Sequence, residues 1–358
     1  MSRTRGFAVA AIAATTLVPA AVAQGATRTV SAGPPGKVKG TPKDGDANAF
    51  YRKTVTVRVG DKVKWAINGF HTVTFPKKGA KPPPLISPDP TGTQVAGVND
   101  AAGAPFWFNG QTRLLLDRLG AFPVPGKSYN GSKLVSSGAP LGPGKPKPYT
   151  LKFTKKGSYS YYCTIHVGQK GTVKVVAKGR PIPSAKANRK AAKKEYAKAA
   201  KRLIADAKFA GPAGNEVRAG NDRADTAILR FFPTSKSVPV GTTVTFSMPA
   251  KTTEIHTVSF GPADYLQGIA DAFVTPDPAA PSGPPTVFNP LLAFPSDVPT
   301  LPAYDGTSHG NGYLNTGIID RDAATPSPGS SQVTFSKAGT YGYICLIHPF
   351  MKGQIVVG

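Results

Sequence analysis

Hydrophobic and polar residues alternate along several short segments, and the same series of segments occurs twice. The first half has this alternation at 54–59, 63–65 and 171–176, and the second half has it at 238–240, 244–246 and 353–357. Strict alternation predicts half-buried β-strands. Equivalent segments lie 181–185 residues apart throughout. The pattern therefore indicates the duplication of a whole β-domain, because a short solenoid repeat would have a much smaller period.

A long segment interrupts each series of strands. Residues 77–148 and 262–330 are rich in Pro, Gly, Asn and Ser, and their alternation is weak. Loops of this length are usually functional or disordered. The aromatic cluster Phe106-Trp107-Phe108 and the residues Tyr304 and Tyr313 lead us to expect that the two inserts cover the β-core.

Residues 184–209 have a helical pattern. Ser184 follows a proline and can cap a helix, and Gly211-Pro212 ends it. One face is formed at helical spacing by Tyr196, Ala199, Ala200, Leu203 and Ala207. The pattern predicts a helix about 39 Å long that separates two domains and exposes its lysines to solvent. We therefore divide the chain into domains at 27–179 and 213–358, joined by a basic helical linker at 180–212.

The N-terminus has the pattern of an export signal. Arg3 and Arg5 precede an apolar, alanine-rich run from 7 to 23, and Ala21 and Ala23 fit a cleavage site. The run is too short to span a membrane, and no later segment approaches the required length. We expect a signal peptide at 1–23, no transmembrane segment and a secreted, extracytoplasmic location.

The net charge of +25 is concentrated in the first half of the chain. Residues 1–210 carry 36 basic and 8 acidic side chains, whereas residues 211–358 carry 8 and 11. A basic half could contact an anionic cell-wall polymer, a membrane surface or an acidic redox partner, or it could simply keep the protein in solution. We expect no nucleic-acid partner, because the chain is predicted to be exported and has no nucleic-acid-binding motif.

Each half ends with a Cys-x-x-His loop that follows an aromatic-rich strand. The loops contain Cys163 and His166 in the first half, and Cys345 and His348 in the second. A further potential donor follows three residues later in each loop, and an upstream His-Thr-Val motif supplies one more histidine per half. Thiolate and imidazole donors in this combination suit copper. A disulfide between the two cysteines is the alternative in an oxidising compartment.

Residues 345–357 resemble the cupredoxin (plastocyanin/azurin) family, and most closely its amicyanin-type ligand loop. The resemblance implies an all-β fold of two tandem Greek-key β-sandwich domains, with one type 1 (blue) copper in each. The ligands it implies are His71, Cys163, His166 and axial Gln169 in the first domain, and His256, Cys345, His348 and axial Met351 in the second.

The first domain departs from the amicyanin pattern at its axial position. Gln169 looks like the stellacyanin-type variant, and its harder donor favours the cupric state, so we expect a lower potential at this site. Many family members have Asn after the upstream histidine, where its side chain braces the ligand loop. This chain has Thr72 and Thr257 there, which leaves the bracing of the loops open.

The number of histidines distinguishes the candidate functions. Copper oxidases and nitrite reductases built from cupredoxin repeats need extra histidines, typically in His-x-His pairs. This chain has no such pair, and only His309 remains, which we expect to be a surface loop residue. We therefore expect a non-enzymatic electron carrier with a redox partner protein, which could dock at Pro349-Phe350. The alternative is an extracellular copper-binding or structural module. The sequence leaves open whether two coppers would exchange electrons.

Overall fold

The computed structural model describes residues 25–278, 283, 286–298, 303–321 and 327–358. The fold is all-β, as predicted, and comprises two β-sandwiches with separate cores that a long helix joins. The predicted signal peptide at 1–23 lies outside the described residues. Within the described part of the chain, no helix combines the length and the hydrophobicity that crossing a membrane would require.

The first sandwich is formed by two five-stranded sheets, in the orders β3-β1-β5-β11-β9 and β10-β6-β12-β13-β4. Many neighbouring strands are distant in sequence, as in Greek-key folds. The fully buried side chains of Trp65, Phe75 and Tyr161 pack between the sheets. The strands of this half are β1 (Thr27–Ala32), β2 (Gly45–Asp46), β3 (Phe50–Tyr51), β4 (Thr54–Arg58), β5 (Lys62–Ile67), β6 (Thr74–Phe75), β7 (Ile86–Pro88), β8 (Leu114–Leu116), β9 (Ser128–Tyr129), β10 (Val135–Ser136), β11 (Tyr149–Phe153), β12 (Gly157–Tyr162) and β13 (Lys170–Val176).

The second sandwich is similar but has one strand fewer, with a four-stranded sheet in the order β16-β14-β18-β23 and a five-stranded sheet in the order β17-β25-β24-β19-β22. Phe246, Phe260 and Tyr343 are buried between them. The strands of this half are β14 (Glu216–Ala219), β15 (Ala227–Ile228), β16 (Phe231–Phe232), β17 (Ser235–Val238), β18 (Thr243–Ser247), β19 (Ser259–Phe260), β20 (Val274–Thr275), β21 (Val287–Phe288), β22 (Leu314–Asn315), β23 (Ser330–Thr334), β24 (Gly339–Ile344) and β25 (Lys352–Val357).

The helices are α1 (Arg118–Ala121), α2 (Ala185–Asp206), α3 (Ala263–Asp271) and α4 (Pro290–Ala293). Helix α2 begins where the sequence predicts, since the Ser184 side chain accepts a hydrogen bond from the Ala187 N–H. Tyr196, Ala199, Ala200 and Leu203 on its predicted apolar face are buried.

The expectation that helix α2 separates the domains is wrong. The helix packs against β1 and β3 of the first half and against β15 of the second. Strand β2 of the first half also pairs with β15, with Asp46 opposite Ala227. The apolar face of the helix is therefore covered by both halves at once, and this burial draws the halves together.

The two inserts cover each other. Strands β7 and β8 from the first insert join β20 and β21 from the second in one antiparallel sheet, with Leu115 opposite Val287. A third hydrophobic core lies beside this sheet and includes Phe108, Phe288 and Leu292. Each of these strands is only two or three residues long, which is too short for a period of two to be visible in the sequence.

Candidate metal centres

The two Cys-x-x-His loops have the same backbone structure. In the first half the Cys163 N–H donates to the Gln169 carbonyl at 3.0 Å, and the Gln169 N–H donates to the His166 carbonyl at 3.1 Å. In the second half the Cys345 N–H donates to the Met351 carbonyl at 3.1 Å. Each loop joins two neighbouring antiparallel strands, β12 to β13 and β24 to β25. These bonds turn the cysteine and the histidine of each loop toward the same point.

The first centre brings together the four residues predicted for it. His71 Nδ1 lies 3.0 Å from His166 Nδ1, and Cys163 Sγ lies 3.4 Å from the same nitrogen. Gln169 Oε1 lies 3.1 Å from His166 Nδ1. All four side chains are buried. His71 lies 92 residues before Cys163 in the sequence, and the fold brings the two together.

The second centre brings together His256, Cys345 and His348. Cys345 Sγ lies 3.7 Å from His256 Nδ1 and 3.8 Å from His348 Nδ1. Met351 is buried in the same core as Cys345. Both cysteines are free, so the structure does not contain the disulfide that the sequence left as an alternative.

These distances can be compared with those of a three-ligand metal site. In a trigonal plane with metal–sulfur and metal–nitrogen bonds of about 2.3 and 2.0 Å, sulfur and nitrogen lie about 3.7 Å apart and the two nitrogens about 3.5 Å apart. The second centre already has the sulfur–nitrogen separations of such a site. The first is tighter, because a hydrogen bond joins its two imidazoles. A metal would have to move these rings apart by a few tenths of an ångström.

The surroundings of the upstream histidines fit a ligand role for their Nδ1 atoms. Among the described residues, Nε2 of His71 and Nε2 of His256 have no hydrogen-bond partner. A glycine lies close to each of these nitrogens, and an added Cβ at Gly33 or Gly220 would approach it to 2.7 or 3.0 Å. Both rings are therefore held by packing, with Nδ1 directed at the cysteine. The set of one thiolate and two imidazoles suits copper.

The two threonines perform the bracing that the sequence left open. The Thr72 N–H donates to Cys163 Sγ at 3.3 Å, and the Thr257 N–H donates to Cys345 Sγ at 3.4 Å. Their hydroxyls accept from the ligand loops, from the Thr164 N–H and the Leu346 N–H, both at 2.8 Å. Each threonine therefore ties the upstream histidine segment to its loop in two ways.

Sequence reasoning missed Glu254, which lies between the two centres. Its Oε1 is 3.2 Å from His166 Nε2, and its Oε2 is 3.8 Å from His348 Nε2. Asn48 Nδ2 of the first half donates to the same Oε1 at 2.6 Å. The equivalent position in the first half is Gly69. Comparison of the two halves therefore did not indicate a functional carboxylate at position 254.

The charges around Glu254 favour its ionised form. Burial raises its pKa, but the charge and hydrogen bond of His166, followed by the charge of His348, lower the pKa of Glu254 to about 2. Burial, followed by repulsion from Glu254, raises the pKa of the nearby Asp222 carboxyl to about 7. Asp46 lies beside them. One carboxylate oxygen of Asp46, one ring nitrogen of His166 and one carboxylate oxygen of Glu254 all lie within 4.8 Å of one another.

His309 is not the surface loop residue that the sequence led us to expect. Its Nδ1 lies 3.2 Å from Asp100 Oδ2 of the first insert, and its Nε2 lies 3.3 Å from Asp297 Oδ2 of the second. The ring also packs on Phe106, with centroids 4.6 Å apart. His309 therefore links the two inserts, and this role depends on a long-range contact that the local Ser-His-Gly sequence does not indicate.

The residue proposed for docking is exposed. Phe350 is 60% exposed, and its ring centroid lies 6.0 Å from that of His348. The His348 side chain retains 17% exposure, whereas that of His166 retains 3%. The loop histidine of the second centre is therefore more exposed to solvent than the loop histidine of the first.

Comparison with known proteins gives a short sequence match. Amicyanin-alpha of Methylorubrum extorquens is 48% identical over 42 residues, which are 11% of this chain and 35% of the relative. The chain thus spans about a third of the length of the curated relative that it matches. No protein-family model matches the chain. One region of the chain is therefore cupredoxin-like.

Two solved structures give weaker matches. A copper(I) form of an amicyanin variant is 21% identical over 41% of this chain and 86% of that one, with a TM-score of 0.21. Oxidised plastocyanin from Dryopteris crassirhizoma is 20% identical over 40% of this chain and 99% of that one, with a TM-score of 0.21.

Proposed function

We propose that the chain is a secreted two-domain type 1 copper protein that transfers single electrons. The observation that carries the proposal is the pair of buried centres, each with one cysteine and two histidines, in equivalent positions of the two sandwiches. The domains are 27–179 and 213–358, the linker is 180–212, and residues 1–23 form the signal peptide. One copper binds per domain, held by His71, Cys163, His166 and Gln169 or by His256, Cys345, His348 and Met351.

Copper at such a centre supplies one-electron exchange between its cuprous and cupric forms. The residues of the chain would keep the donor atoms in fixed positions while the charge of the copper changes. The Thr72 and Thr257 N–H groups donate to the cysteine sulfurs and stabilise their thiolate form. The sandwich cores exclude water from both sulfurs, since Cys163 and Cys345 are buried. The ligands therefore need little rearrangement in either state.

The potentials of the two centres would differ because the first donor set includes Gln169 where the second includes Met351. The Gln169 amide oxygen is a harder donor than the Met351 thioether and favours the cupric state. The first centre then has the lower potential. An external redox partner protein docks at exposed Phe350, beside the second centre. If that partner also contacts the basic first half, its surface is acidic. The positive charge of the first half also suits contact with an anionic cell wall or membrane surface.

A copper-binding or structural module without electron transfer is the alternative function. Both functions predict uptake of two copper equivalents, but only the first predicts reversible redox cycling. The test is a cupric titration followed by visible absorption and electron paramagnetic resonance, and then a redox titration of the loaded protein. An intense thiolate-to-copper band that bleaches and returns supports electron transfer. Copper uptake without that band contradicts it. Substrate turnover by the loaded protein would instead indicate an enzyme.

A further inference from the structure

The carboxylate of Glu254 lies between the loop histidines of the two centres. One of its oxygens is 3.2 Å from His166 Nε2, and the other is 3.8 Å from His348 Nε2. These nitrogens are on the far side of each ring from the Nδ1 atoms that face the cysteines. Only one side chain and two short gaps therefore separate the imidazole of the first centre from that of the second.

We propose that the two centres form an intramolecular electron relay, in which Glu254 connects His166 to His348. This inference rests on the proposed function, because it requires copper at both centres. With copper held at both centres, each step would move one electron from the first centre to the second, which would oxidise one cuprous ion to cupric and reduce one cupric ion to cuprous. One electron moves and no proton or bond changes position. The difference between the Gln169 amide and the Met351 thioether would set the direction, from the Gln169 centre to the Met351 centre.

The surroundings of Glu254 favour a fixed connection. Glu254 is 7% exposed and His166 is 3% exposed, so this end of the connection is shielded from water. Asn48 Nδ2 from the first half donates to Glu254 Oε1 at 2.6 Å and to Thr253 Oγ1 at 3.0 Å. The carboxylate of one half is thus held in place by the other half. Hydrogen bonds to the outer nitrogen of a metal-binding histidine fix the orientation of the ring.

The packing of the two halves keeps this alignment. Helix α2 packs on strands of both halves, and the pairing of β2 with β15 places Asn48 two residues after the shared sheet. The inserts add a second shared sheet through β8 and β21. The centres therefore face each other across an interface with two sheets and two apolar clusters that include residues of both halves.

A cation bound between Asp46, His166 and Glu254 is a different use of the same residues. The hydrogen-bonding pattern argues against it, because the Asn48 amide directs an N–H at Glu254 Oε1, the oxygen nearest to His166. A cation at that oxygen would have to displace this donor. The relay needs no such change.

The test uses the full chain loaded with two copper equivalents and reduced by pulse radiolysis with less than one equivalent of radical. The single-centre variants Cys163→Ser and Cys345→Ser supply the reference spectra. After fast reduction of the two centres, we expect a slower first-order phase in which the Gln169 centre reoxidises as the Met351 centre is reduced. Its rate should not depend on protein concentration. Exchange that is second order in protein would overturn the relay.

The role of Glu254 is tested by Glu254→Leu, with Glu216→Leu as a matched control in β14. We expect the first-order phase to slow by about tenfold or more in Glu254→Leu, the size of effect typical for a group behind a metal-binding histidine. Glu216→Leu should leave it unchanged. An equal rate in Glu254→Leu and the unsubstituted protein would overturn the role of Glu254. If Glu254→Leu does not fold, Glu254→Ala also removes the connection between the two histidines, and an unchanged rate in that variant would overturn the role of Glu254.

A readout that is independent of the transfer rate comes from pulsed electron paramagnetic resonance. With both coppers cupric, dipolar coupling between them should be present in the full chain and in Glu254→Leu, and absent in Cys163→Ser. Coupling too weak for neighbouring centres would contradict the face-to-face arrangement. If neither single-centre variant has a thiolate-to-copper band, the proposed function itself fails. If both have the band and exchange is only second order, the relay alone fails.

Discussion

Replacing Thr257 with valine tests the bracing of the second ligand loop. Valine keeps the shape of threonine and removes the hydroxyl that accepts the Leu346 N–H at 2.8 Å. Both residues are buried, so water cannot replace the lost acceptor. An unpaired buried N–H costs about 1–3 kcal/mol. The Thr257 N–H still donates to Cys345 Sγ, so the substitution isolates the contribution of the hydroxyl.

The assay is urea denaturation of the metal-free protein, combined with copper titration of each folded variant. We expect a lower urea midpoint at an unchanged slope, and a copper affinity of the second centre that is about 10–100-fold weaker. Thr245→Val is the control, because the Thr245 hydroxyl accepts from the exposed Gln332 side chain at 3.3 Å. Its stability should change by less than about 0.5 kcal/mol. Equal midpoints for the two variants would refute the bracing role.

Three further predictions concern the inserts and the upstream histidines. The hydrogen bond to Asp297, opposed by burial, raises the pKa of His309. The charged His309 therefore contributes fully to the stability of the folded protein below its ordinary pKa of about 6.5, and this contribution is lost as the pH rises through the raised pKa. His309→Asn should therefore lower the urea midpoint most near pH 5.5, and an equal loss at pH 9 would contradict this. Trp107→Phe removes the N–H that donates to the Pro295 carbonyl at 2.8 Å, and it should cost about 1 kcal/mol in thermal unfolding; no change would show that the bond adds nothing. Gly220→Ala places a Cβ 3.0 Å from His256 Nε2 at φ +79°, so copper titration should show weaker binding at the second centre only, and equal weakening at both would contradict a local effect.

The features that sequence predicts well are those that repeat or have a local signal. The duplicated Cys-x-x-His loops and their upstream histidines identify the groups that the structure brings together. The cap at Ser184 and the apolar spacing around Tyr196 identify helix α2 and its buried face. The helix follows from neighbouring residues, whereas the upstream histidines are found because their motif occurs at the same place in both halves.

The features that sequence misses depend on how the halves pack. Glu254 has Gly69 as its counterpart, so comparison of the repeats reveals nothing about its position between His166 and His348. Strand β2 is two residues long and forms only with β15 of the other half. His309 meets Asp100 across 209 residues of sequence. These contacts join residues without a shared local pattern, and only the folded chain brings them together.

Anomalous X-ray scattering at the copper edge, measured on crystals of the copper-loaded full chain, locates each copper. In our proposal each sandwich holds one copper between one cysteine and two histidines. We predict two anomalous peaks, one within bonding distance of Cys163 Sγ and one within bonding distance of Cys345 Sγ, with the Glu254 carboxylate between them. A single peak, or copper held by Asp46, His166 and Glu254 away from both sulfurs, would contradict the account.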